Sequence, residues 1–414
     1  MEQAFHTFQN HQYRQKFAVE QLQDVHIYDL DYYGKGLNSI ETLHEGEIII
    51  GTLTMKRQYV KSHGLCDNMF SYHTNIRDNT IDDDDFKATM AIVHGYGENS
   101  DIFLESALQY ALNGFDVHLI DLRGFGMTGG VRMNMWKISD LHHDVVALLQ
   151  QVNPKLPLLI YGHSMGGLTI LTFLVNNPTL NVSGVILSAP FLGVHESAKL
   201  DDKKKLTVKL LAPELEEFVV NPRIPVHLVC RDKIVFREFL QNRKFIPFMS
   251  LGQIDSIIDF HSDLPVNIQD YKYPTLTMLA EKEFLVNNKD ARRILSQAGS
   301  QQNVIVEYKD CFHELQKEPN KDEIHAKVLQ FAMNLLKDKS KLKPFGVFNE
   351  KALRFGRLKK RGPDLVAALK RKIFAIIIYL VIGFVLSKGY LKGKTLATLI
   401  WPIYIVLKKW MGMK

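Results

Sequence analysis

The sequence predicts an α/β fold in which helices cover both faces of a mostly parallel sheet. From about residue 88, short apolar runs alternate with segments of helical periodicity. Strands joined by helices of this length form right-handed βαβ units, whose parallel sheets are covered on both faces. The alternation breaks at residues 191–271 and then resumes. This break predicts a largely helical insertion between two strands of the sheet.

The individual elements follow from apolar runs and their periodicity. The predicted strands are KATMAIVHG, FDVHLIDLRG, LPLLIYG, VSGVILSAP, YPTLTMLAEKEF and NVIVEYKDCFHE. The predicted helices are SDIFLESALQYALNG, ISDLHHDVVALLQQV, GGLTILTFLVNNP, NNKDARRILSQAG and KDEIHAKVLQFAMNLLKDK. Ser139 or Asp140 is the expected cap of the second helix, because short polar side chains accept hydrogen bonds from the first helical N–H groups.

Composition indicates a globular protein of a reducing compartment. The chain has 414 residues, of which 46% are hydrophobic and 23% charged, enough for a large core. Cys66, Cys230 and Cys311 are widely spaced and form neither a disulfide framework nor a zinc pattern. The N-terminal segment has no apolar core of a secretory signal. The acidic run DNTIDDDDF lacks the spacing of a calcium loop and is expected to be a solvated turn. Nothing in the sequence indicates a metal or an organic cofactor, and we expect neither.

A serine in a glycine-rich turn is the first candidate for chemistry. Ser164 is the centre of GHSMG, which fits Gly-x-Ser-x-Gly and lies between the strand LPLLIYG and the helix after it. In that context the turn is so sharp that the serine is strained and projects at the carboxyl edge of the sheet. A plain glycine turn is the alternative, but this strand-to-helix context favours a nucleophile.

The base that a serine nucleophile needs is expected at His313. A serine hydroxyl is a poor nucleophile by itself, and in this architecture the acid and then the histidine follow the serine along the chain. His313 lies in a loop directly after the strand VIVEY. His195, His227 and His261 lie in the insertion, and His325 lies in the last helix, where an exposed histidine is expected.

The acid should lie at the end of the strand before that histidine. The segment AEKEF after PTLTML offers Glu281 and Glu283. Asp310 lies only three residues before His313 and is expected to shape the loop instead. Glu283 is our choice, as acceptor of the imidazole N–H and partner of the imidazolium. Glu281 stays open as the alternative.

Two backbone N–H groups are expected to bind the oxyanion. One follows the nucleophile and belongs to Met165, and the other comes from the loop IVHGYGENS, where Tyr96 is the expected donor. His94 and Gly95 let the backbone approach closely, and we expect no proton transfer by His94.

These motifs together indicate a family. VHGYGENS, DLRGFGMTGG, YGHSMGG, LSAP and YKDCFHE follow one another at suitable spacing. From about Ala88 to Leu336, roughly 60% of the chain, the sequence resembles monoacylglycerol lipases and lysophospholipases of the α/β-hydrolase fold. That group is catalogued with the serine aminopeptidases of type S33. The resemblance implies that residues near 191–271 form a cap over an acyl pocket.

The resemblance also assigns the site residues. It implies a triad of Ser164, Glu283 and His313, with Tyr96 and Met165 as oxyanion donors.

The sequence departs from the family pattern at three positions. Glu283 stands where the family usually has aspartate, Ala280 replaces a usual glycine, and Phe125 replaces a usual histidine. Because glutamate has one methylene more than aspartate, the loop that carries Glu283 must be shifted to place the carboxylate against the histidine.

The C-terminal tail differs from the rest of the chain in charge and hydrophobicity. Residues 341–414 carry 17 Lys and Arg against 2 Asp and Glu, whereas the remainder carries 34 against 43. Basic residues flank two apolar runs, Ile373–Leu386 and Leu396–Leu407. As a helix the first run would extend about 21 Å, short of the roughly 30 Å hydrocarbon core. We expect a hydrophobic helical hairpin that enters one leaflet, with two thin spans or a pair of core or partner-binding helices as alternatives.

The predicted domains are a hydrolase domain at 1–340 with its cap insertion, a basic linker at 341–372 and a membrane-associating hairpin at 373–414. The first functional hypothesis is a membrane-anchored serine hydrolase that cleaves carboxylic esters of lipids, namely monoacylglycerols or lysophospholipids. A catalytically weak or inactive hydrolase-fold subunit of a membrane assembly is the alternative. A peptidase or thioesterase would use the same residues and differ only in its substrate pocket.

The expected partners follow from the first hypothesis. They are a lipid ester substrate and, through the tail, a membrane or lipid-droplet surface, with subunits of a membrane complex as a further class. Nucleic acid is not expected, because it does not explain the apolar runs of the tail. The hydrolase domain is expected on the cytosolic side of an internal membrane, and a mitochondrial location stays open.

Overall fold

The computed structural model describes residues 45–354, apart from residues 63–68, 131, 136–137, 214, 217, 221, 223–225, 234, 236–247, 264–267, 338–341 and 348. The predicted hairpin at 373–414 lies outside the described residues. Within the described ranges, no helix combines the length and the apolar content that crossing a bilayer requires.

A large sheet organises the described residues. The strands are β1 (Gly46–Ile50), β2 (Leu53–Ser62), β3 (Met69–Asp78), β4 (Ala88–Val93), β5 (Phe115–Ile120), β6 (Leu158–His163), β7 (Gly184–Ser188), β8 (Val219–Val220), β9 (Met249–Ser250), β10 (Thr275–Ala280) and β11 (Asn303–Tyr308). In the described part of the chain, nine of them form one sheet in the order β1-β2-β3-β5-β4-β6-β7-β10-β11. In this sheet β1 pairs with β2, β2 with β3, and β3 with β5 in antiparallel orientation, whereas the pairings among β5, β4, β6, β7, β10 and β11 are parallel. The strands β8 and β9 form a separate antiparallel pair.

Helices cover this sheet on both faces. They are α1 (Leu104–Leu112), α2 (His142–Leu149), α3 (Met165–Asn176), α4 (Asp202–Leu211), α5 (Leu251–Asp263), α6 (Asn288–Leu295) and α7 (Lys321–Leu336). Apolar side chains of α2, α3 and α6 form a core on one face, and those of α1 and α7 form a core on the other. Strands β4 to β7 are buried along their whole length, as expected of a parallel sheet covered on both sides.

Two local predictions are wrong. The segment Ile138–Leu141 forms a 3₁₀ turn and α2 begins at His142, so Ser139 and Asp140 lie before the α-helix and do not cap it. His325 on α7 is buried instead of exposed, and its Nε2 lies 2.9 Å from the hydroxyl of Ser106. It therefore contributes to the packing of α7 against α1.

The insertion between β7 and β10 builds a cap with a small core of its own. Helices α4 and α5 pack together through Val208, Ala212 and Leu251, next to the two-stranded pair of β8 and β9. The cap is hydrogen-bonded to the loop after β5: the hydroxyl of Ser250 donates to Asn134 Oδ1 at 3.0 Å. The described residues between β7 and β10 thus lie outside the large sheet, and that the insertion at 191–271 covers an acyl pocket stays a prediction.

Described residues beyond α7 contact the folded body. Phe345 is buried, and its backbone N–H donates to the carbonyl of Leu156 at 2.9 Å. The N–H of Arg354 donates to Asn177 Oδ1 at 2.8 Å. The predicted basic linker therefore contacts the folded body at Phe345 and Arg354.

Candidate active site

Ser164 occupies a strained turn between β6 and α3. Its backbone angles are φ 49° and ψ −115°, a conformation that a non-glycine residue adopts at a cost of about 1–3 kcal/mol. Two hydrogen bonds hold it: its N–H donates to the carbonyl of Ser188 at 2.9 Å, and its own carbonyl accepts from the N–H of Phe191 at 2.9 Å. The turn therefore holds the serine at the carboxyl edge of the parallel strands.

The loop after β4 lies directly against this turn. A Cβ atom on Gly95 would come within 3.1 Å of the Cβ of Ser164. A Cβ on Gly166 would overlap the carbonyl oxygens of Val93 and His94. Gly166 is required by this close approach of two backbones, and Gly95 leaves room for the side chains of Glu98, His163 and Ser164. The approach brings the two predicted oxyanion segments together.

Hydrogen bonds fix the shape of the β4 loop. The N–H of Leu122 donates to Nε2 of His94 at 2.9 Å, so Nδ1 of that ring carries the hydrogen and donates to the carbonyl of Gly95 at 2.7 Å. The N–H of Gly95 in turn donates to Oε2 of Glu98 at 2.7 Å. Thus His94 has a hydrogen-bond partner on both ring nitrogens and supports the backbone of this loop.

The predicted oxyanion donors lie on either side of this contact. Met165 is the first residue of α3, and the first N–H groups of a helix have no acceptor within the helix. Tyr96 follows Gly95, and its hydroxyl donates to the carbonyl of Phe248 in the cap. Tyr96 and Phe125 pack edge to face at 5.2 Å, so the phenylalanine supports this loop.

Glu283 and His313 form a buried pair. Oε2 of Glu283 lies 2.7 Å from Nδ1 of His313, and Oε1 accepts from the N–H groups of Phe284 and Leu285 at 2.9 and 2.8 Å. Burial acts to raise the pKa of Glu283, but His313 and the backbone donors outweigh it and lower that pKa. Burial acts to lower the pKa of His313, but the Glu283 carboxylate outweighs it and raises that pKa.

The other acidic candidates have different partners. Glu281 accepts from the backbone N–H of Asp310 at 2.8 Å, and Asp310 pairs with Lys282. Asp310 has a positive φ of 60° and shapes the turn before His313. Of the two glutamates, the structure brings Glu283 into contact with the histidine.

The cap also holds the loop of His313. The N–H of Glu314 donates to the carbonyl of Val229 at 2.7 Å, and the N–H of Arg231 donates to Oε1 of Glu318 at 2.9 Å. These contacts join the end of the insertion to the loop that carries His313.

Three buried side chains next to the pair were missed by the sequence reasoning. Nε2 of His163 lies 3.1 Å from Oε1 of Glu314, and its ring lies 4.8 Å from the ring of His313. Glu98 lies beside them, with Oε1 at 3.8 Å from the same Nε2. An acidic residue within GYGE, and another directly after His313, were the available signals. The ligand atoms of His163, His313 and Glu314 lie within 4.8 Å of one another, but they are engaged in hydrogen bonds and we assign no metal to them.

Comparison with known proteins identifies the family. Residues 84–320 match the family described as serine aminopeptidase, S33. The chain belongs to this S33 family. The match spans Ser164, Glu283 and His313, and the predicted resemblance and the predicted serine hydrolase class are confirmed.

Individual S33-type relatives are distant. A monoacylglycerol lipase of Mycolicibacterium smegmatis is 23% identical over 245 residues, which are 57% of this chain and 85% of that protein. An uncharacterised abhydrolase domain-containing protein of Dictyostelium discoideum is 22% identical over 59% of this chain, and this chain spans only 26% of that protein. A soluble variant of the Saccharomyces cerevisiae monoglyceride lipase, solved with a substrate analogue, superimposes with a TM-score of 0.58 at 20% identity, over 67% of this chain and 94% of that one. The predicted α/β-hydrolase fold is thereby confirmed.

Proposed function

We propose that the protein hydrolyses carboxylic esters of single-chain lipids, monoacylglycerols or lysophospholipids, through an acyl-enzyme on Ser164. The observation that carries the proposal is the buried contact of Glu283 with His313 at the same sheet edge as the strained Ser164. The monoacylglycerol lipase among the relatives supports the substrate class.

In the acylation step, Ser164 attacks the acyl carbonyl carbon and His313 takes its proton. Nδ1 of His313 faces Glu283, so Nε2 is the nitrogen left for the serine hydroxyl. Glu283 fixes this tautomer and stabilises the imidazolium that forms. The N–H groups of Met165 and Tyr96 bind the oxyanion, whose charge develops only as the carbonyl is attacked.

Collapse of the tetrahedral intermediate releases the alcohol. His313 gives its proton to the departing glycerol oxygen and then takes a proton from water, which attacks the acyl carbonyl of the ester on Ser164. A second collapse frees the fatty acid and returns the proton to the serine. No metal or organic cofactor takes part in this scheme.

A membrane surface is the proposed place of action. On α4 of the cap, Leu206 and Leu210 are 60% and 64% exposed and lie one turn apart. Lys203, Lys204 and Lys205 are exposed beside them. Apolar side chains flanked by lysines suit the interface of an anionic membrane, and the basic apolar tail at 373–414, outside the described residues, has the same character. Helix α4 and the tail would together place the cap at the membrane, in which single-chain lipids reside.

The proposed location is the cytosolic side of an internal membrane. Cys230 and Cys311 are free thiols in the structure, which supports a reducing compartment.

Hydrolysis of a substrate panel tests the proposal. Detergent-solubilised full-length protein is incubated with monoacylglycerols, lysophosphatidylcholine and a short peptide amide, and released acid or amine is measured beside Ser164→Ala. We expect release from the single-chain lipids that is lost in the alanine variant. Turnover of the peptide alone would contradict the proposed substrate class and would indicate a peptidase. No turnover by folded protein would favour the non-catalytic subunit of a membrane assembly.

A further inference from the structure

A buried acidic cluster lies behind the candidate triad and has no role in the scheme above. Three of its side chains are buried. They are Glu98 in the loop after β4 (the oxyanion loop), Glu314 in the loop after β11 (the histidine loop) and His163 at the end of β6, directly before Ser164. The N–H of Gly95 donates to Oε2 of Glu98 at 2.7 Å. The cluster therefore joins the three loops on which the proposed catalytic groups lie.

The hydrogen bonds of this cluster determine how many protons it holds. Nδ1 of His163 faces the carbonyl oxygen of Ser188 at 3.1 Å, so Nδ1 carries a hydrogen. Nε2 faces Oε1 of Glu314 at 3.1 Å. A bare ring nitrogen and a carboxylate are both acceptors, so this contact requires one proton between them.

A second proton is expected on one of the two glutamates. Oε1 of Glu98 and Oε1 of Glu314 face the same ring nitrogen of His163, at 3.8 and 3.1 Å, and two buried carboxylates so close to each other favour the protonation of one of them. Oε1 of Glu98 is buried and no described residue donates a hydrogen bond to it, so a negative charge on this oxygen would be poorly stabilised. Full burial of both carboxyls disfavours their charged forms.

We propose that Glu98, Glu314 and His163 form a neutral, two-proton network that positions the oxyanion loop against the histidine loop and leaves Glu283 as the ionised partner of His313. With a neutral ring on His163, two added protons cancel the charges of both carboxylates. The net charge of the network is zero whether the proton between His163 and Glu314 lies on the carboxyl or on the ring. This inference rests on the roles proposed for Ser164 and His313.

Neutrality has a consequence for catalysis. His313 must be unprotonated to accept a proton from Ser164, and each additional negative charge nearby would favour the imidazolium. The titratable and charged groups around His313 and the network come from four elements: Glu283 from the loop after β10, Glu314 and Lys317 from the histidine loop, Glu98 and His94 from the oxyanion loop, and His163 from β6. A neutral network removes two of the three negative charges from this set.

Glutamine substitutions test the charge of the network. Glu98→Gln keeps an acceptor for the Gly95 N–H and a donor toward Glu314, and Glu314→Gln keeps a donor toward His163. The rate of labelling of Ser164 by a fluorophosphonate is measured against pH in the full-length protein. In both variants we expect the midpoint of the acidic limb to stay at its wild-type pH, with the plateau lowered by no more than about tenfold. A midpoint moved to lower pH in either variant would mean that a negative charge had been removed, and would overturn the proposal.

Two further variants separate positioning from folding. Glu98→Ala removes the acceptor of the Gly95 N–H, so its labelling should be slower than that of Glu98→Gln; equal rates would contradict a positioning role. Glu307→Gln, an exposed strand residue paired with Arg292 at 3.1 Å, is the matched control and should behave as wild type.

Infrared spectroscopy tests the network independently of catalysis. The carbonyl stretch of protonated carboxylic acids should be present at neutral pH in the wild type and should weaken in Glu98→Gln. A spectrum without this band would overturn the proposal. If wild-type protein is not labelled but the band is present, the proposed function fails and the proton network stands.

Discussion

Oε2 of Glu283 lies 2.7 Å from Nδ1 of His313, and both side chains are buried. The other carboxylate oxygen accepts backbone N–H groups of the turn that follows, so the charge of Glu283 is balanced from two sides. A glutamate therefore makes the contact at a position where aspartate is usual in the group that the sequence resembles. The turn Phe284–Val286 lies close enough to bind the longer side chain.

The charge of Glu283 should set the pH dependence of the reaction. His313 has a raised pKa because of this carboxylate, so reactivity should be lost as the pH falls through that raised value. In Glu283→Gln the acidic limb of kcat/KM should move to lower pH, while the plateau falls by about 10²- to 10⁴-fold. Rates of ester hydrolysis across a pH series measure both effects.

The neighbouring glutamate provides the control for that experiment. Glu281→Gln changes the same group at the same end of β10, but its carboxylate contacts the Asp310 N–H and not the histidine. Its acidic limb should stay at the wild-type pH. If the acidic limb shifted more in Glu281→Gln than in Glu283→Gln, the triad acid would be Glu281 and our assignment would be wrong.

Close backbone contact should make Gly166 intolerant of a side chain. A methyl group there overlaps two carbonyl oxygens of the β4 loop, whereas one on Gly129 would meet its nearest neighbour, the Phe70 carbonyl, at 3.8 Å. Gly166→Ala should lower the free energy of unfolding by about 1–3 kcal/mol, and Gly129→Ala should change it by less than about 0.5 kcal/mol. Urea denaturation compares the two. Equal stability of both variants would contradict the packing of the oxyanion loop on the nucleophile turn.

Asp144 should be the main polar support of the antiparallel end of the sheet. Its buried carboxylate accepts from the backbone N–H, Nε and a terminal nitrogen of Arg123 at 2.9 to 3.0 Å, and from the hydroxyls of Ser62 and Ser71 at 3.2 Å. Asp144→Ala leaves a buried guanidinium without this carboxylate and should cost about 3–5 kcal/mol.

An exposed ion pair is the comparison for Asp144. Asp84 pairs with Lys155 at 2.8 Å with both side chains largely exposed, so Asp84→Ala should cost less than about 1 kcal/mol. The two free energies of unfolding come from urea titration. A cost for Asp144→Ala as small as that for Asp84→Ala would show that the network contributes little.

Charge placed on the cap should weaken binding to membranes. Leu206→Asp with Leu210→Asp exchanges the exposed apolar pair of α4 for two negative charges. Co-sedimentation of full-length protein with anionic vesicles should fall by about tenfold or more, because apolar burial is lost and repulsion is added. Val304→Asp, at a 41% exposed residue of β11, is the matched control and should bind as wild type. Equal binding of the cap variant and the control would exclude α4 from the docking surface.

The sequence is most informative where one physical constraint decides the structure. Short apolar runs that alternate with helical segments favour parallel strands buried on both faces, so β4 to β7 follow from this pattern. The strained turn at Ser164 follows from its glycines, since Gly166 tolerates no side chain beneath the β4 loop. The distance between Glu283 and His313 could not be read from the sequence, because both Glu281 and Glu283 lie after the same strand.

Features that depend on tertiary contacts were not predicted. Glu98 and Glu314 lie in different loops, and only the fold brings their carboxyls to His163. His325 is buried because α7 packs against α1, where Ser106 satisfies its ring nitrogen, and the periodicity of α7 does not reveal this. The cap was recognised as an interruption of the sheet pattern, but its pairing of β8 with β9 rests on strands of only two residues.

Mass spectrometry of the protein after reaction with a fluorophosphonate tests the central claim most directly. Full-length wild type, Ser164→Ala and His313→Ala are treated side by side, with circular dichroism to verify folding. We expect a single adduct on Ser164 in the wild type, no adduct in Ser164→Ala, and labelling slowed by at least about 10³-fold in His313→Ala. An adduct on another residue, or a folded wild type without any adduct, would contradict an activated serine at this site.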